Sequence, residues 1–330
     1  MSKKLKDVLK TLFSLSLGLL IIWLLYRKTN LNELWQITKS ANFVILTVSL
    51  LFTLAGNVIR GYRWEIFIRS LGYRPKMASV VFATLGNYAV NYLLPRAGDF
   101  WRCAAVTRYD KVPFAKTFET YLIDKFLDMI AVVVVVILSI VLNIDFFISY
   151  TKENPSFQES IIRIFSSVWL YMAVAVGVLL VVLLFTVFKH TKIALKIKGL
   201  WEVVQYDLKL ISQIKEKKRI IGYTVLIWVA FYLNFYVGFL AFDFTKDLGL
   251  IACFIVFAMS NIGVAVPVQG GIGAWHFMVI SSLVILGVGS PEAKAFAGAV
   301  FTIQLVWLIL CGVFGILALP YVKRNEPDAQ

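Results

Sequence analysis

Long apolar stretches separated by short polar links dominate the chain. Six of them approach the roughly 20 residues that an α-helix needs to cross a bilayer core. They cover residues 11–26, 43–59, 126–146, 166–188, 220–242 and 295–319. Only 16% of the residues are charged and the mean hydropathy is +0.80, which excludes an ordinary soluble or disordered protein. The pattern predicts an all-α polytopic membrane protein with six full transmembrane helices.

Two further apolar stretches, residues 78–94 and 251–288, are interrupted by proline and glycine. Irregular backbone at membrane depth is tolerated only where protein buries it or where it lines a cavity, because lipid offers no hydrogen bonds. We therefore expect each stretch to form a re-entrant or broken hairpin that returns to the side from which it started.

Basic residues are distributed unequally between the two predicted sides of the membrane. With the N-terminus inside, the cytoplasmic segments hold 25 of the 33 Lys and Arg, the opposite segments hold 7, and Arg96 is the remaining one. The cytoplasmic segments are 1–10, 60–76, 102–125, 189–219 and 323–324. Because cytoplasmic loops are enriched in Lys and Arg, this split predicts that both termini are cytoplasmic. The net charge of +14 then reflects topology and contact with anionic lipids, and no nucleic-acid partner is expected.

The two interrupted stretches share a local signature. Residues 86–102 read GNYAVNYLLPRAGDFWR and residues 260–276 read SNIGVAVPVQGGIGAWH, and both place P-x-x-G after an asparagine and an apolar run. An aromatic residue and a cation or imidazole follow in each. Short matches of this kind also arise by chance in Gly-rich membrane proteins. The surrounding order of two helices, a hairpin and a long helix nevertheless recurs from opposite sides of the membrane.

This order predicts an inverted-topology repeat within a single membrane domain, residues 1–330. Its halves are residues 1–150 and 164–330, and residues 189–219 form a basic cytoplasmic loop. In such transporter folds, interrupted helices at corresponding positions mark the substrate site near the bilayer midplane. We therefore expect the breaks near residues 95 and 270 to face each other across a polar pocket.

A first group of candidate binding residues lies at the predicted cytoplasmic end of the second helix. Arg60, Arg63 and Trp64 occur in IRGYRWEIFIRSLGYRP, and Arg60 and Trp64, four residues apart, share a helical face. The fixed fork of arginine donors matches a lipid phosphate. The alternative is a positively charged anchor with a tryptophan at the membrane interface.

A second group surrounds the first break. Asn91 precedes Pro95, and Arg96, Asp99 and Arg102 follow it. Charged side chains at membrane depth are costly unless they are paired or face a cavity. A helical backbone would allow Asp99 and Arg102 to pair, so both a structural pair and a substrate-facing cluster remain open.

Two carboxylates open the third long helix. Asp124 and Asp128 are four residues apart and share a face, whereas Lys125 lies on another. They are predicted to neutralise Arg96 or Arg102, with a role in proton coupling as the alternative. A hydrolytic pair of carboxylates is less consistent, because the sequence supplies neither a nucleophile nor a metal-binding set.

The second break carries the remaining candidates, which are Pro267, Gln269, Gly270, Gly271, Gly273 and His276. Glycines let the backbone turn and approach a ligand closely. A short helix that starts after Gly273 would present free N–H groups to an anion. His276 is either a hydrogen-bonding group of the site or a packing residue.

No cofactor or metal is predicted. Cys103, Cys253 and Cys311 show no C-x-x-C spacing, and the histidines His190 and His276 do not complete a metal-ligand set with them. The glycine-rich stretch lacks the G-K-[ST] ending of a nucleotide-binding loop.

These motifs resemble the lysylphosphatidylglycerol synthase and flippase-like integral membrane family, which includes the YbhN-like proteins and the membrane flippase domain of MprF. The resemblance covers nearly the whole chain. Its R-x-x-R-W element is represented by Arg60, Arg63 and Trp64, its proline–glycine element by Asn91, Leu93, Pro95, Gly98, Asp99 and Arg102, and its acidic element by Asp124, Lys125 and Asp128. The P-x-x-G-G-x-G element is present from Pro267, but His276 replaces the usual acidic residue, and Gln304 lies near the position of a final-helix arginine.

The resemblance implies movement of a lipid or lipid-linked headgroup between leaflets. We expect a flippase of an anionic phospholipid or polyprenyl-phosphate-linked lipid in a bacterial cytoplasmic membrane, without enzymatic activity, because 330 residues leave no room for a soluble synthase domain. One alternative is a membrane-embedded transferase that uses a lipid-linked donor, with Asp124 or Asp128 as base. The other is a scaffold for a lipid-modifying enzyme. A homo-oligomer is compatible with each.

Overall fold

Every regular element that the computed structural model describes is helical. It describes residues 16, 18, 20–27, 29–94, 97–144, 148, 172, 214–266, 268 and 271–322, and no strand occurs among them. Within these ranges, four helices are long and apolar enough to cross a membrane, and two shorter helices are also apolar. The predicted all-helical membrane protein is confirmed at this level.

The helices of these ranges are numbered here in chain order. They are α1 Leu31–Lys39, α2 Phe43–Ser70, α3 Met77–Leu93, α4 Ala97–Asp110, α5 Phe114–Leu142, α6 Lys217–Leu240, α7 Asp243–Lys246, α8 Gly249–Ala265, α9 Ala274–Ile285 and α10 Ser290–Ala318. Residues 20–26 are also helical. The membrane-length helices are α2, α5, α6 and α10, the last counted with the 3₁₀ turn Leu319–Tyr321 that follows it. Of the predicted span 166–188, only residue 172 is among the described residues.

Two spanning helices extend beyond the apolar runs that predicted them. The run at 43–59 ends before Arg60, yet α2 continues to Ser70. The run at 126–146 begins after Asp124, yet α5 starts at Phe114. A sequence window reads these charges as the end of a span, but here opposite charges from the two helices pair inside the protein. Pairing reduces the cost of ionised groups at this depth, so the helices can continue through them.

Each predicted break ends a helix, as the proline and glycine positions require. The C-cap residues Leu94 and Val266 have extended backbones after α3 and α8. Gly271 and Gly273 have φ angles of +72° and +83°, which favour glycine, and α9 begins directly after Gly273. The predicted helix start is therefore confirmed. The candidates Pro95, Arg96, Pro267, Gln269 and Gly270 lie outside the described residues.

The paired arms of both hairpins pack against each other, α3 on α4 and α8 on α9. In the first hairpin, the Gly98 N–H donates to Asn91 Oδ1 at 2.9 Å across the break. The second arm of this hairpin, α4, covers 14 residues. In the second hairpin, Gly263 lies so close to the backbone of Trp275 that a Cβ there would approach its Cα to 2.8 Å.

The chain divides into two compact units, residues 1–142 with 218–330 and residues 143–217. Only residues 143, 144, 148, 172 and 214–217 of the second unit are described, so the packing below concerns the first. In this unit, α2 and α6 run antiparallel. The Asn42 N–H donates to the Ala241 carbonyl at one end, and Arg63 donates to Thr224 towards the other.

The helices α5 and α10 each connect both hairpins. α5 packs against α4 of the first hairpin and α8 of the second. α10 places Phe301 on Trp275 of α9, with ring centroids 5.3 Å apart, and further along it packs closely against α3. Each of these two long helices therefore contacts both hairpins.

We expect Gly312→Ala to weaken the contact between α10 and α3. A Cβ at Gly312 would lie 2.8 Å from the Ala89 backbone nitrogen and 3.0 Å from the Leu85 carbonyl oxygen, and backbone atoms cannot move aside cheaply. Overpacking of this kind costs about 1–3 kcal/mol. Unfolding of the purified protein in detergent would measure the loss.

Gly298→Ala is the matched control on the same helix, because its Cβ would meet only the Tyr26 hydroxyl at 3.5 Å. It should leave the free energy of unfolding unchanged or slightly higher. Equal losses in the two variants would contradict the close packing of α10 on α3.

Candidate functional site

Arg63 is the centre of a buried ionic network between α2 and α5. Its Nε donates to Asp124 Oδ1 at 2.8 Å, and its Nη2 donates to Asp128 Oδ1 at 2.7 Å. The remaining Nη1 donates to Thr224 Oγ1 of α6 at 3.1 Å. Charge-assisted hydrogen bonds of this length are among the strongest in proteins. Arg63 is therefore saturated, and it fixes both carboxylates in place.

Arg60 lies one turn earlier on α2 and completes the pairing of Asp128. Its Nη2 is 3.1 Å from Asp128 Oδ2, and its Nη1 donates to Asn57 Oδ1 and to the Tyr88 hydroxyl. The Tyr88 hydroxyl in turn donates to Asn57 Oδ1 at 2.6 Å. The buried Nε of Arg60 has no hydrogen-bond partner. Arg60 is thus held by α3 and α5 together but retains one free donor.

Arg102 differs from both, because it is buried without hydrogen bonds at Nε or Nη2. Its side chain is 1% exposed, and its only described ion pair joins Nη2 to Asp124 Oδ2 at 3.7 Å. The guanidinium lies on the face of Trp64, with Cζ 3.9 Å from the ring centroid, and beside the ring of Tyr121 at 5.1 Å. Aromatic faces attract a desolvated cation but leave its N–H donors unused.

Acceptors beside Arg102 are also unused. Asp124 Oδ2 and Asp99 Oδ1 are buried and have no hydrogen-bond partner. The Asp99 carboxylate adjoins the Tyr121 hydroxyl. An unpaired buried polar group costs about 1–3 kcal/mol, and more when it is charged. This part of the site therefore contains buried hydrogen-bond donors and acceptors that are available to a polar ligand.

We call the six ionisable groups Arg60, Arg63, Arg102, Asp99, Asp124 and Asp128 the arginine–aspartate cluster. Arg63 lies seven residues before the end of α2, which is about 10 Å along a helix. Asp124 lies ten residues after the start of α5, about 15 Å. The cluster thus lies well inside the helix bundle, towards the side on which α2 ends and α5 begins.

The cluster unites most of the residues predicted for the first half of the chain. Asp124 neutralises Arg102 as expected, although Arg63 is its closer partner. The alternative of a structural pair between Asp99 and Arg102 is not found among the described ion pairs, because the Arg102 guanidinium is directed across to α5. Trp64 is fully buried and donates from Nε1 to Thr120 Oγ1 at 3.1 Å, so the alternative of an interfacial anchor is wrong.

The candidates of the second hairpin form a different, aromatic environment. His276 is buried, with ring centroids 4.5 Å from Phe301, 5.4 Å from Trp275 and 6.3 Å from Tyr26. Its Nδ1 has no hydrogen-bond partner. A Cβ at Gly273 would lie 2.7 Å from the Gly18 carbonyl oxygen, so the backbone at Gly18 packs directly against this turn. These described contacts lie among aromatic and backbone atoms and include no member of the cluster.

Sequence reasoning missed several polar partners of the cluster. They are Asn57, Tyr88, Thr120, Tyr121 and Thr224. Asn57 lies three residues before Arg60 on the same helical face, a spacing that would have identified it. The others come from α3, α5 and α6, and only the tertiary packing brings them to the arginines.

The described residues contain no group of three or more His, Cys, Asp or Glu side chains that could hold a metal ion. Cys103 and Cys253 are buried and Cys311 is partly buried, and all three are free thiols. Within this part of the chain, the cysteines pack as small apolar side chains.

Comparison with known proteins identifies the family of this chain. The lysylphosphatidylglycerol synthase TM region family matches residues 9–312. The chain belongs to this family. The matched residues contain both hairpins, three of the four described spans in full, and α10 as far as residue 312. A relative described as a UPF0104 membrane protein, from Methanothermobacter thermautotrophicus, is 25% identical over 303 residues, which cover 87% of this chain and 84% of the relative. No solved structure matches the chain.

We expect Arg63→Met to destabilise the protein strongly. The substitution leaves Asp124 and Asp128 without their shared partner in a buried place, and breaking such a network costs about 3–5 kcal/mol. Unfolding in detergent would measure this loss. Arg69→Met, on the same helix, removes a half-exposed contact with Glu65 at 3.6 Å and should cost less than about 1 kcal/mol. Similar losses would show that Arg63 is not central.

Proposed function

We propose that this protein moves a lipid with a phosphate-bearing headgroup between the leaflets of a membrane, and that the arginine–aspartate cluster binds the headgroup. Membership of the lysylphosphatidylglycerol synthase TM region family supports a membrane role connected with phospholipids. The observation that carries the proposal is the buried Arg102 guanidinium, which has no hydrogen bond at Nε or Nη2.

A phosphate could accept hydrogen bonds from these two unused donors of Arg102. Two adjacent N–H donors of a guanidinium match two oxygens of a phosphate, and the pair excludes water from a buried place. The Nε and Nη2 atoms of Arg102 supply such an edge. Arg60 adds a further unused Nε donor. Arg63, which is saturated by its carboxylates, acts as the scaffold that holds the other two.

The carboxylates keep the arginines in place when no lipid is bound. Asp124 contacts Arg102 at 3.7 Å, a long ion pair that an incoming phosphate can replace. After the exchange, Asp124 still has Arg63 at 2.8 Å, so no carboxylate is left alone. Binding of this exchangeable kind is suited to transport, because the headgroup must be released as well as captured.

The lengths and order of the helices support an inverted repeat. The first hairpin arms, α3 and α8, both have 17 residues and are displaced by 172 positions, from 77 to 249 and from 93 to 265. The long helices α5 and α10 both have 29 residues. The helices that precede the hairpins, α2 and α6, run antiparallel. An inverted pair of halves with six crossings in total accommodates this arrangement.

In this proposal the headgroup crosses beside the hairpins while the acyl chains remain in lipid. Large apolar side chains at the first hairpin are exposed, with Leu93 81%, Leu94 62% and Phe100 55% accessible. Such residues at the end of a hairpin offer an apolar surface to acyl chains, next to an arginine that takes the phosphate. The polar and apolar parts of one lipid would thus be bound by neighbouring parts of the same hairpin.

Arg102→Lys should slow transbilayer movement of a fluorescent phosphatidylglycerol in proteoliposomes by about tenfold or more. Lysine keeps the positive charge but replaces the planar fork with a point charge, which loses the two-point contact. The rate would be followed by chemical quenching of the probe in the outer leaflet.

Arg69→Lys is the control, because this arginine is half exposed and lies outside the cluster. It should move lipid at the wild-type rate. Wild-type protein that moves neither phosphatidylglycerol nor polyprenyl phosphate faster than empty liposomes would refute the proposal. An Arg102→Lys variant with full activity would refute the role of Arg102.

The orientation can be tested by cysteine labelling in a background that lacks the three native cysteines. A cysteine at the exposed Ser40, between α1 and α2, should react with a membrane-impermeant maleimide in intact cells. A cysteine at Ser70, at the end of α2, should react only after the membrane is disrupted. The reverse result would invert the proposed topology, in which both termini are cytoplasmic.

A further inference from the structure

The arginine–aspartate cluster is electrically balanced before any ligand arrives. It contains three arginines and three aspartates, and the ion pairs among them link Arg60, Arg63 and Arg102 to Asp124 and Asp128. With Asp99 included, the formal charges of the three arginines and three aspartates sum to zero. A monoanionic phosphate therefore adds a net negative charge to a place with low dielectric constant. Uncompensated charge in such a place is strongly unfavourable.

Asp99 is the carboxylate of the cluster that has no described ion pair. It lies in the first turn of α4, three residues before Arg102, and its Oδ1 is buried without a hydrogen-bond partner. Asp124 and Asp128, in contrast, both remain hydrogen-bonded to Arg63 when a phosphate binds to Arg102.

We infer that the cluster binds an anionic headgroup together with one proton, and that Asp99 receives this proton at Oδ1. This inference rests on the proposed function and specifies its coupling. The proton comes from bulk water, the bond formed is the Oδ1–H bond, and the protonated carboxyl keeps the site neutral while phosphate occupies Arg102. A headgroup that carries its own ammonium group brings the compensating charge itself and needs no proton.

The other ionisable groups near Asp99 do not replace it as the acceptor. On α4 these are Arg102 and Cys103, and on α5 they are Tyr121, Asp124 and Lys125. Lys125 is exposed and lies over the Tyr121 ring at 5.6 Å, so its charge is compensated by solvent. From α3, Asn87 and Asn91 face the start of α4, and both are neutral. From α2, Arg63 is saturated, and Arg60 is paired with Asp128.

Calorimetry on the full-length protein in nanodiscs tests the inference. Binding of dihexanoyl phosphatidylglycerol would be measured near pH 6.5 in buffers with different heats of ionisation, which gives the protons taken up per bound lipid. This probe is a phosphodiester and takes up no proton itself near neutral pH. We expect about one proton for the wild type and nearly none for Asp99→Asn. As the pH is raised, wild-type affinity should fall by up to about tenfold per pH unit, because one proton is linked to binding.

Two controls sharpen the test. Glu119→Gln removes a carboxylate that pairs with Lys116 outside the cluster, and it should retain uptake of one proton. Dihexanoyl phosphatidylethanolamine, which carries an ammonium group, should bind to the wild type without proton uptake. This comparison of the two lipids on wild-type protein stands even where Asp99→Asn does not fold.

The outcomes separate this inference from the proposed function. Binding of phosphatidylglycerol without proton uptake, or unchanged uptake in Asp99→Asn, would overturn the inference and leave the headgroup site intact. Equal proton uptake with both lipids would also overturn it, because charge compensation would not be the cause. Folded wild-type protein that binds neither lipid would overturn both the inference and the proposed function.

Discussion

The cost of burying charge governs the first half of this molecule. Three arginines and three aspartates lie among membrane helices, where each ion alone would be strongly destabilising. Arg63 resolves most of this cost by binding two carboxylates and a hydroxyl with all its donor nitrogens. Its position requires α2, α5 and α6 to meet at one point. The ionic network and the helix packing therefore depend on each other.

Balance of charge does not mean that all hydrogen bonds are made. Arg102, Asp124 and Asp99 keep unused donors and acceptors side by side, although their charges compensate. A network built only for stability would be expected to satisfy these atoms or to replace them with apolar groups. These unused atoms lie on the first hairpin and on the facing side of α5, and a further one, Arg60 Nε, lies on α2. They are the atoms proposed to bind the headgroup, whereas Arg63 holds the structure together.

The sequence predicted most of the helices and many members of the cluster, but not how those members pair. Hydropathy and the proline and glycine positions located α2, α3, α5, α6, α8 and α10, because these signals are local. The predicted end of α2 and the predicted start of α5 were wrong, because a hydropathy window contains no information on the ion pair between Arg60 and Asp128. Tyr88 and Thr224 were missed for the same reason, since they are 28 and 161 residues from the arginines that they contact. The cluster is a tertiary feature assembled from locally recognisable parts.

The surroundings of the two hairpins differ in chemistry. The first hairpin has ions around Arg102, whereas the second has a buried imidazole among Phe301, Trp275 and Tyr26. A polar environment therefore surrounds one hairpin and an aromatic environment surrounds the other.

The shortness of the second hairpin arms has a consequence for the surrounding lipid. At 14 and 12 residues, α4 and α9 are about 21 and 18 Å long, whereas the hydrocarbon layer of a bilayer is about 30 Å thick. Where helices this short border lipid, local thinning of the bilayer accommodates the mismatch at a modest cost in free energy. A thinned annulus beside the hairpins would shorten the apolar layer that a headgroup crosses in the proposed transport, so the bilayer itself would contribute to the route.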